Sequence, residues 1–482
     1  MHSNVQKTQR MYSLLDQTAV KMALLISVHV LFLLLIMWTD GLDYRAKVSL
    51  FAFLSAMTLW VGTKIPAGFV AVGLLVFIVF MRAAEAELLY DALAEEVVWL
   101  MIGAFIMGEA VKQSGLAERF SRSIMSRSTK KSQVLFGTAS VLVASAFFIP
   151  STSGRAALSM PIIKQLAQTF TGEEKRALAV MVPVIILMST SATLIGAGAH
   201  IVGIGILEKT AGQSVSFLQW MMWGAPFAVV ITALTFVIIK KMLWPKDGAE
   251  EIEHLRGKAE AQSPQPFHVQ EKKTLGLISV LMIGWVTEGI HGYDTALVTM
   301  GGAILMMLPT YGVISWKKGL QSVSWNLIVF VAAATALGKV LVDTGVVKWM
   351  ETEMFGALHV FVHPPEWLTV LVILLITVTS HLYITSHTTR AVVFIPSLLI
   401  FGKTVGADPA AVVFLSLLGM NYCITFPVSS KALLLFYEDG NISYDAKQLI
   451  KVSAVLMPLY IIVMMVFYFA FWKWTGMDLH MR

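Results

Sequence analysis

Two stretches of the chain carry residue types that recognise negatively charged oxygen. The first is Ser151-Thr152-Ser153-Gly154-Arg155-Ala156, with Pro161 following; the second is Ser386-His387-Thr388-Thr389-Arg390-Ala391, with Pro396 following. Both read S-x-[ST]-x-R-A-x-x-x-x-P, and every shared position is offset by 235 residues. Each hydroxyl offers one O–H donor, and a guanidinium offers five N–H donors in a fork that fits carboxylate oxygens. Ser151, Thr152, Ser153, Ser386, His387 and Thr388 are therefore candidate contacts for an anion. An arginine inside a bilayer costs about 2.5–3.5 kcal/mol on insertion scales, so two at matched positions need a reason. Arg155 and Arg390 could clamp substrate carboxylates directly, or stand as fixed positive charges behind these stretches in place of a bound cation. They could also snorkel to an interface or pair with a structural acid. Residue type alone leaves these roles open.

What surrounds the two stretches is almost wholly apolar. The chain is 57% hydrophobic and only 14% charged, with mean hydropathy +0.73. A soluble domain carries roughly 25% charged residues, so the composition predicts a polytopic helical membrane protein. The net charge of +6 reads as basic cytoplasmic loops, because no dense Lys/Arg face lies outside the apolar runs to bind nucleic acid. The single cysteine, Cys423, excludes an intrachain disulfide and a cysteine-clustered metal site. The first apolar run begins near Val20, is too long for a signal-peptide core and lacks a clear cleavage site, so no cleavable signal peptide is expected.

Taken in order, the apolar runs predict spans at about Val20–Trp38, Val48–Gly62, Gly68–Phe80 and Val97–Val111. In Gly115–Lys131, Leu116, Phe120 and Ile124 form a narrow stripe, with Arg119, Arg122 and Arg127 elsewhere, as in a helix lying on the membrane surface. Next come two arms, Val134–Ile149 and Ala156–Phe170, interrupted at Pro150–Arg155. About 15 residues of helix reach roughly 22 Å, short of the ~30 Å hydrocarbon core. A re-entrant hairpin is expected, with the first stretch at its tip. A helix from Ala177 breaks at Ser189–Thr193 and Gly196–His200, and a span covers Phe217–Ile239. Lys240–Lys273 is the one long polar segment and reads as a cytoplasmic linker.

After the linker the order repeats: spans at about Leu275–Val286, Ala296–Leu308 and Leu327–Val342, then Asp343-Thr344-Gly345 in the position of Gln113-Ser114-Gly115. A short amphipathic piece with Val346, Met350 and Met354 on one face follows. A hairpin of Leu368–Ile384 and Ala391–Phe401 comes next, then a helix Ala410–Cys423 breaking at Thr425–Lys431, and a last span Val452–Trp472. The reading is eleven spans, two re-entrant hairpins and two broken helices. An odd number of crossings per repeat puts the repeats in opposite orientation, the inverted-repeat plan of secondary transporters. With the N-terminus inside and the C-terminus outside, Arg119–Lys131, Lys240–Lys273, Lys317–Lys318 and Lys447–Lys451 all fall in the cytoplasm, as the positive-inside rule requires.

In such a plan the two tips meet near the midplane, where helix N-termini present free N–H groups and about half a positive charge. The breaks bring Thr193, Gly196, His200, Pro427, Ser429, Ser430 and Lys431 to the same level. His387 and His200 could titrate or act as plain hydrogen-bond donors. Glu109, Glu288, Lys339 and Asp343 are expected at helix ends or interfaces. His381 and His387 lack ligand spacing, and no phosphate loop or Ser/His/Asp grouping is present. No enzyme, metal or cofactor is expected.

From about Val97 to the C-terminus the chain resembles the divalent anion/sodium symporter (DASS) family of the ion transporter superfamily. In that family each half carries a Ser-Asn-Thr motif at a hairpin tip and a T-P-P-N-like loop in a broken helix. Ser151-Thr152-Ser153 and Ser386-His387-Thr388 fall on the two tip motifs; Gly196–His200 and Ser430–Leu433 fall on the two loops, with Lys431 at the first proline. Both motif asparagines and both T-P-P-N loops are replaced, and arginine stands two residues beyond each motif. The resemblance implies an elevator homodimer in the cytoplasmic (inner) membrane that moves di- or tricarboxylates such as succinate, malate, fumarate or citrate. It divides the chain into scaffold (1–131 and 274–360), transport domain (132–243 and 361–482) and linker (244–273). The lost sodium-site residues favour sodium-independent exchange. The alternatives are sodium-coupled carboxylate symport and transport of sulfate or another inorganic divalent anion. Outside the transporter class, a membrane-embedded enzyme or a static receptor would lack counterflow.

Overall fold

A computed structural model describes residues 20, 22–63, 65–116, 119, 123, 130–147, 149, 151–168, 170–245, 266–357, 364–437, 439 and 442–479. The polar N-terminal stretch, Pro150, most of the expected surface helix (Phe120, Arg122, Ile124 and Arg127 included) and 246–265 of the linker lie outside the described residues. Regular structure among the described residues is helical. The helices used below are α1 (Met22–Met37), α2 (Tyr44–Gly62), α3 (Ala67–Phe80), α4 (Glu96–Gln113), α5 (Lys131–Ser145), α6 (Thr152–Ala167), α7 (Gly172–Met188), α8 (Gly198–Ala211) and α9 (Phe217–Leu243). After the linker come α10 (Val269–Val286), α11 (Thr295–Met307), α12 (Trp325–Asp343), α13 (Val346–Ala357), α14 (Glu366–Thr379), α15 (His387–Thr404), α16 (Pro409–Asn421), α17 (Lys431–Tyr437) and α18 (Ala446–Ala470).

Among the described residues four helical segments are long and apolar enough to cross a membrane: Gly172–Ala192, Phe217–Leu243, Trp325–Asp343 and Ala446–Ala470. Shorter apolar helices accompany them, among them α1, α3, α11 and α16. Large apolar side chains point outward along these helices, such as Leu24, Leu31 and Leu35 of α1 and Val455, Ile462 and Val466 of α18. Water would penalise such a surface, and lipid does not. The chain is a multi-pass membrane protein.

Several helices begin one or two turns before their apolar runs. Asp445 accepts from the Lys447 amide and starts α18 at Ala446, where an expected span begins at Val452. Thr171 and Glu174 form a reciprocal capping box that starts α7 at Gly172, ahead of Ala177. Apolar runs mark the part of a helix that needs hydrocarbon, whereas caps mark where its hydrogen bonding begins. Both α4 and α12 end in the same way. Gly115 has φ +83° and Gly345 has φ +75°, a left-handed conformation open to glycine at little cost, as the Gln113-Ser114-Gly115 and Asp343-Thr344-Gly345 match suggests.

The chain divides into two compact units. One comprises residues up to Leu93 together with Val329–Gly356; the other comprises Ala94–Ile328 and Ala357–Arg482. In the first unit Ile36, Ala46, Leu50, Phe53, Leu341 and Val346 form a buried cluster, with Met350 packed on it. The apolar face expected of the short piece after Gly345 is thus turned into this cluster at Val346 and Met350.

The second unit holds both tips and both breaks. The arms α5 and α6 are 15 and 16 residues long, and α14 and α15 are 14 and 18. At ~1.5 Å per residue, the first three fall well short of a ~30 Å core. Between α7 and α8 the backbone passes through two 3-10 turns, Ser189–Ala192 and Leu194–Gly196. Between α16 and α17 it is interrupted likewise, with one turn at Pro427–Ser429. The halves interlock: α8 packs against α15 and α16, while α17 packs against α6 and α7. Each break's far helix therefore lies on the other half's second arm and on the near helix of the other half's break.

Candidate functional site

The two tips are built alike. Ser151 has extended φ/ψ, and its Oγ accepts from Gly154 N at 3.1 Å. Ser386 is also extended, and its Oγ accepts from Thr389 N at 3.2 Å. Each serine thus caps a second arm, with its oxygen engaged by the third helical amide and its O–H proton left to donate. Thr152, Ser153, His387 and Thr388 occupy the first turns of α6 and α15, half-buried. A helix start with free amides and hydroxyl donors is suited to anionic oxygen.

Arg155 and Arg390 are turned away from any interface and are 1% and 0% exposed. Arg155 Nη1 donates to Ser189 Oγ at 3.0 Å, and Nη2 donates to Thr190 Oγ1 at 2.7 Å and to the Ile186 carbonyl at 2.8 Å. These acceptors form the C-terminal end of α7, where carbonyls lose their helical partners and carry partial negative charge. Arg390 repeats the arrangement with fewer bonds: Nη1 donates to the carbonyl of Tyr422, the residue that caps α16. Among the described residues no carboxylate forms an ion pair with either arginine. Snorkelling and pairing with an acid are therefore the wrong descriptions. Each guanidinium is a buried positive charge held on the broken end of a helix.

The breaks are tied to the first arms as well. Thr193 Oγ1 donates to the Ala146 carbonyl, 2.9 Å away at the end of α5. In the second half Thr425 Oγ1 meets His381 Nε2 at 2.7 Å, just beyond α14, and also Ser453 Oγ of α18 at 2.7 Å. Gly196 fits where a Cβ would collide with the Thr190 carbonyl oxygen. Pro427 and Ser429 are buried, Ser430 Oγ accepts from Ala432 N at 3.2 Å, and Lys431 is exposed at the start of α17. His200 is fully buried, with Nδ1 3.2 Å from the Thr193 carbonyl and Nε2 2.9 Å from Asn421 Oδ1. Its ring lies 4.5 Å from that of Trp220 and 6.2 Å from that of His387. His387, at the second tip, thus adjoins the first break.

Buried polar atoms without partners concentrate here. Of twelve such side-chain atoms among the described residues, seven belong to the tips and breaks: Arg155 Nε, Ser191 Oγ, His387 Nε2, Arg390 Nε and Nη2, Asn421 Nδ2 and Ser429 Oγ. Folded proteins rarely leave such atoms unpaired, so this concentration is one that water or a polar ligand could satisfy. The sequence placed Ser191 and Thr425 within the two breaks without singling them out, and it did not point to Asn421 or Trp220. Asn421 carried the one legible signal, a lone amide in the otherwise apolar run Ala410–Cys423. Glu109 accepts from Gln113, and Glu288 accepts from Thr295 Oγ1 at 3.1 Å, both near helix ends as expected. No group of three metal-ligating side chains occurs among the described residues.

Short paired arms and interlocked broken helices around unsatisfied donors define a class, the helical membrane transporters. The structure of the YdaH transporter of Alcanivorax borkumensis has the same kind of fold, with a TM-score of 0.55 at 14% identity over 78% of this chain and 85% of that one. Residues 17–477 match the family model described as the sodium:sulfate symporter transmembrane region, and the chain belongs to this family, the divalent anion/sodium symporters. Its relatives include the citrate/succinate antiporter of Escherichia coli K12, 25% identical over 76% of each chain. The sodium-dependent dicarboxylate transporter SdcS of Staphylococcus saprophyticus is 22% identical over 86% of this chain and 85% of its own. A membrane protein of Cupriavidus necator is 24% identical over 78% of this chain and 74% of its own.

Proposed function

We propose that this protein is a secondary transporter that exchanges di- or tricarboxylate anions across the cytoplasmic membrane without sodium. The observation that carries the reading is the pair of buried arginines, one behind each capped tip, that have no carboxylate partner among the described residues. A permanent charge at each tip supplies the attraction for an anion that a co-transported cation would otherwise bring. With that charge fixed in the protein, returning the empty carrier across the membrane is costly, and loading a second anion offsets it. Exchange follows from the same electrostatics.

In this reading Ser151, Thr152, Ser153, Ser386, His387 and Thr388 touch the substrate, and the arginines set the coupling. The hairpins and broken helices move as an elevator against a scaffold drawn from 1–131 and 274–360, in an inverted-repeat homodimer with its N-terminus in the cytoplasm. The named relatives include both an antiporter and a sodium-dependent transporter, so sodium-coupled symport is the second reading. Uptake of labelled succinate and citrate into proteoliposomes separates the two. Exchange predicts uptake driven by internal unlabelled carboxylate and indifferent to external sodium. Strict dependence on a sodium gradient, with no stimulation from internal anion, would sink it. Competition by sulfate at similar concentrations would move the substrate to inorganic anions.

A further inference from the structure

The imidazole of His200 adjoins two side chains from different parts of the chain, each with one buried atom that lacks a partner. One is the side-chain amide of Asn421, which is 2% exposed at the end of α16; the other is His387 Nε2 at the second tip. The hydrogen-bond roles around the ring can be worked out. The Thr193 carbonyl only accepts, so His200 Nδ1 carries the proton that faces it. The ring is fully buried with no carboxylate paired to it among the described residues, a setting in which a charged imidazolium is costly, so it is neutral and its Nε2 is an acceptor. A partner 2.9 Å from that atom must then donate. Amide oxygen and nitrogen are interchangeable at the level of geometry, so Asn421 turns its NH2 to His200. Its oxygen takes the place of the unpartnered amide atom.

Two groups now remain around one ring: an amide oxygen that only accepts, and a histidine nitrogen that can donate. A carboxylate oxygen, which only accepts, satisfies His387 but not Asn421. A hydroxyl has the chemistry for both, able to accept from His387 Nε2 and to donate to Asn421 Oδ1.

We infer that Asn421, with His387, forms a subsite for a substrate hydroxyl, so that the protein selects hydroxy-carboxylates over carboxylates of the same length. The inference rests on the carboxylate-transport reading and deepens it by naming the substrate class. Asn421 is the specificity-determining residue. His200 is a positioning residue that fixes the orientation of the amide, and Trp220 holds the ring of His200 in place.

Two matched pairs of probes differ only by that hydroxyl: malate against succinate, and citrate against tricarballylate. Binding to the purified full-length protein is measured by calorimetry or ligand-dependent thermal shift, and exchange is measured in proteoliposomes. The expected result is a preference for the hydroxylated member of at least one pair by about tenfold or more, the effect of leaving a buried acceptor unpaired. Asn421→Ala should bring that ratio close to one. His387→Asn, which restores a donor, should keep the preference, and His387→Ala should lose it. Equal affinities within both pairs in the wild-type protein overturn the subsite whether or not any variant folds, and leave the transport reading intact. A preference that survives in folded Asn421→Ala also overturns it. Absence of binding by all four probes rejects the transport reading together with the subsite.

Discussion

Arg155 and Arg390 occupy equivalent places in the sequence but are held unequally. Arg155 makes three charge-assisted hydrogen bonds to the end of α7, whereas Arg390 makes one to the carbonyl of Tyr422. Such bonds contribute about 1.5–3 kcal/mol each, so the first arginine serves both stability and charge, and the second serves mostly charge. Arg155→Ala should lower the unfolding temperature more than Arg390→Ala, while each variant still folds and loses carboxylate exchange. Wild-type exchange in both would reject their role in coupling. Arg155→Lys should not rescue, because an ammonium is a point charge without the planar fork that spans Ser189, Thr190 and Ile186. The motif spacing made these residues visible. Where their side chains go was not visible, because their acceptors (two hydroxyls and a carbonyl for Arg155, a carbonyl for Arg390) lie 31 to 35 residues away and meet them only through the crossing of helices.

At the scale of elements, the site depends on how the short helices are fastened. Lys131 at the start of α5 contacts both carboxylate oxygens of Glu174 at 2.9 and 3.0 Å, and Glu174 is fully buried. Glu174 also accepts from Thr171 N at 2.7 Å, so one carboxylate joins the first arm to the start of the first broken helix. Lys131→Met leaves that carboxylate buried and unpaired, at a cost of about 3–5 kcal/mol. Adding Glu174→Gln should recover most of the loss, and comparing the unfolding temperatures of the single and double variants measures this coupling. The break itself is packed backbone to backbone: a Cβ on Gly224 of α9 would collide with the Ser191 carbonyl oxygen, and Trp220 Nε1 donates to the same oxygen at 3.0 Å. Gly224→Val should therefore displace the Ser189–Ala192 turn and reduce both folded yield and exchange, whereas Gly276→Ala, where a Cβ meets nothing nearby, should do neither. Apolar runs located most helices to within a turn or two. The short α17 was not legible, since seven residues carry too little periodicity to be read as a helix.

Over the whole molecule, the second unit interlocks the earlier and later parts of the chain through α8 on α15 and α16 and through α17 on α6 and α7. Cys423, the only cysteine, lies 2% exposed beside this intersection, just after α16. It should resist maleimide labelling in native membranes and react promptly once the protein is denatured. Rapid labelling of the native protein would show that the second break is open to solvent and would contradict the packing around Arg390.

The sequence by itself determined the class and the plan of this protein. Composition calls for a bilayer, and one short motif recurs at an offset of 235 residues. The paired S-x-[ST]-x-R-A stretches, with the family resemblance they carry, mark a transporter of anions. These are properties of residue type and spacing along a line. Only the tertiary structure decided that both arginines are buried on helix ends, that His200 of one half meets Asn421 of the other across 221 residues of chain, and that His387 stands beside them. Such pairings follow from how broken helices cross in space. Residue spacing along the chain does not give that crossing, so the sequence does not show which side chains it brings together.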